Sequence, residues 1–433
     1  MTAGRRVQPH PESPLRQSGH PNAGLAVIES PATSWLRARA LAHAAPRPIS
    51  AIRLRLNESI GATLAADLRP STPLPAFDTA AMDGYAVAGS GPFQIRGEIR
   101  AGQTWSGSLA SGDALAIATG AAVPAGCEAV VPIEQTRTAG LMLFASPIQN
   151  AHIRRAGEDA AAGSVLAPAG SPVTPALLGL AAACGHDYLT VTPLPRLQVF
   201  ITGDELRHEG PSQASGQGAQ VRDAIGPMLA ALLPRLGGTL SGLSHLGDDG
   251  EALPNALASV LTSATLTSAT LTSATTKASV PEIIVITGST SVGNTDRLRG
   301  VLNQLQARWI VDTVACKPGH PQLLAELRPG TWLVGLPGNP YAALVAAQTL
   351  LAPLLAGLSG RALRPLPSAV VIGQVRPAVD VTRLVPVVWE GDHARVLTDA
   401  RAASLHGASL CDAIAALPPG WEAGRLAPLL LMG

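Results

Sequence analysis

PEIIVITGSTSVGNTD, Pro281 to Asp296, is the stretch whose reading decides the fold. Ile283 to Thr287 are β-branched throughout and carry no charge. A short apolar run of this kind, closed by Gly288, reads as a strand buried on both faces of a parallel sheet. Gly288, Ser289, Thr290, Ser291 and Gly293 are small or hydroxyl-bearing, and Asp296 leads into Leu298, Val301, Leu302 and Leu305 at helical spacing. Strand, tight polar loop and helix start together make an oxyanion cradle, because backbone N–H groups and the helix N-terminus face the ligand. The same pattern also makes an ordinary βα turn, and this stretch alone does not choose between them.

Working outward, Leu197 to Ile201 is a second apolar strand, closed by Thr202-Gly203-Asp204-Glu205. A third, Trp332 to Leu336, runs into Pro337-Gly338-Asn339-Pro340 and then a long apolar helix, Tyr341 to Leu358. Three such strands align their polar loops along one carboxyl edge, where open α/β sheets bind ligands. Between the last two strands lies Cys316-Lys317-Pro318-Gly319-His320-Pro321, a rigid basic turn. Acids, hydroxyls and one lysine suit a phosphorylated, metal-bridged ligand.

The chain has 433 residues and a net charge of +1, so it is long enough for several domains and shows no bias toward nucleic acid. Only Lys277 and Lys317 are lysine among 31 basic residues, which singles out the compact ammonium of the KPGH turn. Cys127, Cys184, Cys316 and Cys411 lie far apart without ligand spacing, which argues against zinc and disulfides and for a reducing cytosol. Ala342 to Leu358 contains Gln348, Thr349 and Pro353 and reads as too short to span a bilayer, so neither membrane nor nucleic acid is expected as partner.

The composition divides the chain into an α/β region and β regions. Residues 1–31 read as a disordered extension. Residues 32–72 and 153–194 have helix-and-turn composition, with a helix over Thr33 to His43 and a strand followed by a short helix over Leu54 to Leu68. Short runs punctuated by Gly and Pro (YAV, FQIRGEI, DALAIAT, AVVPIE, LMLFA) make 73–152 an inserted small β-domain. Strand–helix alternation makes 195–362 a three-layer α/β domain. Within it, residues 261–276 carry LTSAT three times over, a low-complexity insertion with no useful periodicity. Val- and Pro-rich strands make 363–433 a C-terminal β-domain.

Leu74 to Val87, LPAFDTAAMDGYAV, contains the turn pair Asp83-Gly84 and alone would be read as a hairpin. The whole string closely resembles the P-x-F-D-x-S-A-M-D-G-Y-A-V signature of the MoeA family, the molybdopterin molybdenumtransferases that include the gephyrin E domain. The resemblance continues in order. Ile117 to Val131 resembles I-x-T-G-A-x-V-P-x-G-x-D-A-V-V, Ile153 to Asp159 contains the R-x-x-G-E-D turn from Arg154, and Thr202 to Leu206 is T-G-D-E-L. Ser291 to Asp296 fits S-x-G-x-x-D, and Gly335 to Pro340 is G-L-P-G-N-P.

This resemblance implies one elongated, discontinuous linker domain of residues 32–72 and 153–194, the β-domain 73–152 inserted into it, the α/β molybdopterin-binding domain and a C-terminal β-barrel. It implies insertion of molybdate into adenylylated molybdopterin with release of AMP, supported by Mg²⁺. It also implies a homodimer with the active site between subunits, and a molybdopterin adenylyltransferase as upstream partner. By the same resemblance Asp83, Glu158, Asp159, Lys317 and His320 are catalytic candidates. Thr119, Asp204, Asp223, Gly288, Ser291, Gly293, Asp296, Pro337, Gly338 and Asn339 are candidates for pterin-nucleotide contacts, with Asp204 and Asp296 as the metal ligands. Asp83, Thr119, Glu158 and Asp159 are expected to reach the pocket from the partner subunit.

The chain departs from the family pattern in several places. The second glycine before the serine is Ser289, K-P-G-K reads Lys317-Pro318-Gly319-His320, and I-Y-D-S-N reads Val221-Arg222-Asp223-Ala224-Ile225. The Val-Ser after G-N-P reads Tyr341-Ala342, and the paired arginines of the C-terminal domain reduce to Arg383. A working transferase with a variant molybdate site and a catalytically weak paralogue that carries molybdopterin both fit this pattern.

Overall fold

Alternation along the strand Ile283–Thr287 sets the layers, since successive side chains point to opposite faces. Ile283 and Val285 join Leu197, Val199, Ile201, Val334 and Leu336 in one apolar core, while Ile284 and Ile286 join Phe200, Leu333 and Leu298 in another. The first core is covered by the helices Trp35–Ala44, Ile225–Leu236 and Pro340–Leu358, the second by Ala252–Leu266 and Arg297–Gln304. This computed structural model describes residues 32–215, 218–266, 281–288, 297–376, 378–397 and 401–432, which form one compact unit. The expected N-terminal extension 1–31 lies outside them.

Six strands form the α/β sheet in the order Thr239–Leu246, Arg196–Thr202, Ile283–Thr287, Thr331–Leu336, Leu323–Arg328, Arg308–Val311. The first four are parallel, and the last two add an antiparallel edge. A second six-stranded sheet lies within residues 84–144, and its only helix among the described residues is the single turn Ile133–Gln135. A three-stranded sheet pairs Ile52–Arg55 and Thr63–Leu64 with Tyr188–Thr192. At the C-terminus, Thr382–Glu390, His393–Val396, Ser368–Ile372, Leu426–Leu431 and Ala413–Leu417 close on themselves as a five-stranded barrel. Closure removes the free edges.

Four expectations are corrected. The helix expected before Leu68 is only the 3₁₀ turn Leu56–Glu58, because Ser59 bonds back to Leu56 and Gly61 follows at positive φ. The apolar helix runs Pro340–Leu358, 19 residues, and is long enough to cross a bilayer; its burial in the protein makes it a core helix instead. It also contains a π turn, Ala347–Leu351, where Trp35 Nε1 donates to Thr349 Oγ1 and Arg39 donates to the Gln348 carbonyl. The basic turn belongs to the barrel rather than the α/β sheet, since Val314–Lys317 pairs in parallel with Thr382–Glu390 at Cys316↔Thr382 and Lys317↔Arg383.

The last correction concerns the insertion. The first LTSAT copy is the C-terminal part of the helix Ala252–Leu266, and the Leu261 carbonyl accepts from Arg328 Nη1 at 3.0 Å. Residues 267–276 lie outside the described set. Deleting 267–276 is expected to leave Tm and ligand affinity unchanged, because these further repeats add no apolar periodicity to the sequence. A deletion that starts at Leu261 cuts the helix, and calorimetry should register a lower Tm for it.

Candidate functional site

The ends of Arg196–Thr202, Ile283–Thr287 and Thr331–Leu336 lie side by side, with Ile201↔Thr287 and Thr287↔Leu336 in register. Their loops therefore share one edge, as the apolar runs predict. Thr202 Oγ1 donates to the Thr287 carbonyl at 2.6 Å, and Gly288 sits at φ +84° against that hydroxyl. A Cβ on Gly288 would lie 2.3 Å from Thr202 Oγ1, and one on Gly338 would lie 3.4 Å from the Gly288 Cα. Gly288 therefore needs glycine, through its positive φ and this clash, while a Cβ on Gly338 would only be in ordinary van der Waals contact with it. Ser291, Gly293 and Asp296 lie outside the described residues.

On the next loop Asp204 and Asp248 clasp each other. The Asp248 amide donates to Asp204 Oδ1 at 3.0 Å, and the Asp204 amide donates to Asp248 Oδ2 at 3.2 Å. Both carboxylates keep one oxygen without a partner among the described residues, and two hard oxygen donors fit a divalent cation of the Mg²⁺ type. No group of three metal-ligating side chains forms among the described residues.

Asp223 is buried and caps the helix Ile225–Leu236. Its Oδ1 accepts from the amides of Ile225 and Gly226 at 2.9 and 3.0 Å, and Oδ2 faces His245 Nε2 at 2.9 Å. Burial opposes its charge, yet the Gly226 amide, His245 and the Ile225 amide outweigh that and hold the carboxyl below the usual range. A depressed pKa stabilises the fold above the unfolded value, near pH 4, and that stability is lost as pH falls through the folded value. Asp223→Asn should thus lower stability by about 1–2 kcal/mol at pH 7. In urea titrations the gap to wild type should close in acid; a constant gap from pH 7 to 3 would contradict the charge argument.

The basic turn opens onto a cavity of about 730 Å³ between the barrel and the α/β edge, lined by Lys317, His320, Asn339, Ala342, Arg383 and Arg401, with Pro337 beside them. Parallel pairing fixes Lys317 next to Arg383. Arg383 Nε is buried without a hydrogen-bond partner among the described residues. His320 Nδ1 must carry a proton, because it donates to the Val314 carbonyl at 2.8 Å, which leaves Nε2 free. Arg401 went unremarked in the sequence, where RAAS carries no motif. It is positioned by its neighbour: the Ala402 carbonyl accepts from the amides of Tyr341 and Ala342 at 3.0 and 3.2 Å. Those are orphan amides of a helix N-terminus, so the barrel caps the α/β helix and carries Arg401 with it.

The remaining candidates gather elsewhere. Thr119 donates to Asp83 Oδ1 through its amide at 2.7 Å and its hydroxyl at 2.8 Å, and these bonds lower the Asp83 pKa. Glu158 Oε2 accepts from the Arg155 amide at 2.9 Å, and Asp159 pairs with Arg154. Among the described residues, no hydrogen bond and no shared cavity joins Asp83, Thr119, Glu158 or Asp159 to the Lys317 cavity.

Comparison with known proteins reproduces this division. Residues 33–185 match the MoeA N-terminal region (domain I and II), and residues 198–357 match a probable molybdopterin binding domain. Molybdopterin molybdenumtransferase 2 of Mycobacterium tuberculosis is 34% identical over 328 residues, 71% of this chain and 75% of that protein. The molybdopterin molybdenumtransferase of Haemophilus influenzae is 31% identical over 325 residues, 73% and 75% of the two chains. The crystal structure of a molybdopterin biosynthesis MoeA protein from Pyrococcus horikoshii OT3 has the same fold. Its TM-score is 0.71 at 20% identity, over 92% of this chain and all of that one.

Proposed function

The chain belongs to the MoeA family, and from that premise we propose that it inserts molybdate into adenylylated molybdopterin and releases AMP. It is a molybdopterin molybdenumtransferase of molybdenum cofactor biosynthesis, a reading the named relatives favour over a catalytically weak carrier.

The observation that carries the finer reading is the Lys317 cavity. Molybdate is a dianion, and Lys317, Arg383 and Arg401 line one space with no acidic residue among its described walls. The buried, unpartnered Arg383 Nε supplies a donor whose desolvation is already complete, which an oxyanion would satisfy. Asn339 and Pro337 join this cavity to the glycine-walled edge, so a pterin dithiolene at the edge would meet molybdate at Lys317. In this reading Gly288 and Gly338 admit the pterin nucleotide, Asp204 with Asp248 orients its phosphates, and Lys317 holds the oxyanion. A divalent cation held by Asp204 and Asp248 would neutralise the leaving phosphate. Asp296 remains the second metal ligand implied by the family pattern.

Homodimerisation, with Asp83, Thr119, Glu158 and Asp159 acting from the partner subunit, accounts for their separation from Lys317 within one chain. All four cysteines are free thiols, which fits a cytoplasmic location. The test is AMP release from adenylylated molybdopterin by the purified chain, with and without molybdate. Release that depends on molybdate supports the transferase, and its absence at saturating molybdate would defeat it.

A further inference from the structure

A second cavity, of about 480 Å³, lies where the turn at Gly170 and Pro172, the end of the helix Pro340–Leu358 and the barrel strand Leu426–Leu431 meet. It shares no lining residue with the Lys317 cavity. Its size is that of a small-molecule site.

Two polar side chains line it while more than nine-tenths buried: Arg39 is 8% exposed and Gln348 9%. Arg39 Nη1 donates to the Gln348 carbonyl at 2.6 Å, and its guanidinium carbon lies 5.3 Å from the Trp35 ring centroid. Its Nε and Nη2 make no hydrogen bond among the described residues, and neither does the Gln348 side-chain amide. No carboxylate pairs with Arg39 among those residues. Burial lowers its pKa to about 10, which leaves it charged at neutral pH.

Arg361 and Arg364 line the same space. Arg361 donates Nε to Thr63 Oγ1, at 2.8 Å, and Nη2 to the Gly61 carbonyl, which holds its guanidinium in place. Burial, and then the charge of Arg364, hold it below the usual arginine range. The described lining holds three arginines and no acid, and is otherwise mostly Pro, Leu and Ala.

An unpaired buried cation is costly unless a counter-charge joins it. We propose that this cavity binds a small organic anion, with its oxyanion head on Arg39, Gln348 and Arg364 and its apolar body along the Leu363 and Leu430 wall. The polarity of the site dictates that chemistry. Hydrated inorganic ions would leave the apolar wall empty, and neutral apolar ligands would leave the guanidinium unpaired.

Calorimetric titration of the full chain with hexanoate, hexyl phosphate and hexanol tests this. At least one of the two anions should bind and hexanol should not; which anion binds tells carboxylate from phosphate. Arg39→Met should weaken the binding anion about tenfold or more. That variant exchanges a buried charge for an apolar chain of similar length, so it is expected to fold. Arg364→Ala, at the exposed rim, should weaken it a few-fold without touching the core. Lys317→Ala should bind as wild type, which separates this site from the molybdate reading. The proposal fails if neither anion binds, if hexanol binds as well as they do, or if Arg364→Ala leaves the affinity unchanged.

Discussion

Lys317→Ala is expected to lower molybdate-dependent AMP release about 100-fold or more, the effect of removing one preorganised donor from an oxyanion site. The fold should survive the change. Lys317 is exposed, its backbone is pinned by pairing with Arg383, and none of its side-chain atoms makes a described hydrogen bond. Tm should therefore match wild type. The loss should appear at low molybdate first and be partly recovered at high concentration, because Arg383 and Arg401 remain.

His320→Lys sharpens the test. His320 spends Nδ1 on the Val314 carbonyl, so in its neutral form it offers the oxyanion only the lone pair of Nε2. A lysine there adds a permanent cation to the cavity and should lower the molybdate concentration needed for half-maximal AMP release several-fold. Turnover by Lys317→Ala at the wild-type molybdate dependence would remove the KPGH turn from the mechanism.

The parts of this site that were legible in the sequence are those carried by local pattern. Ile283 to Thr287 announces a buried strand, and Gly288 announces the loop that must pass close to another backbone. The parts that were not legible depend on pairing between distant residues. Nothing local says that Val314–Lys317 leaves the α/β sheet to pair with Thr382–Glu390, because four residues fit either sheet equally well. Arg401 follows from that same docking, through the Ala402 carbonyl at the Tyr341 amide. The strand Ala413–Leu417, which closes the barrel, reads in sequence as an apolar Ala-rich run with no β-branched signal apart from Ile414. The helical start of the LTSAT repeats was hidden for the opposite reason. Its low-complexity composition masks a helix that begins nine residues earlier, at Ala252.

Gly84→Ala should cost at least about 3 kcal/mol, as overpacking against an immovable neighbour does. Asp83-Gly84 reads as a turn pair, yet Gly84 begins a central strand, Gly84–Val87, paired with Ile117 on one side and Pro132 on the other. A Cβ there would stand 2.0 Å from the Val131 carbonyl oxygen, 2.9 Å from its carbon and 3.0 Å from the Pro132 Cα. All three atoms are backbone, so no rotamer relieves the clash, and the strand Ala129–Pro132 must move. That movement also displaces Asp83, whose carbonyl accepts from the Ile133 amide and whose carboxylate holds Thr119. The variant should therefore lose amide-exchange protection across 79–132 before the α/β sheet does, and lose activity with it. Gly179→Ala is the matched control. Gly179 lies within the helix Pro175–Ala183 with open space around its Cβ position, so alanine there should stabilise by about 0.5–1 kcal/mol. Equal Tm values for the two variants would mean that the glycine of this motif serves something other than the strand contact.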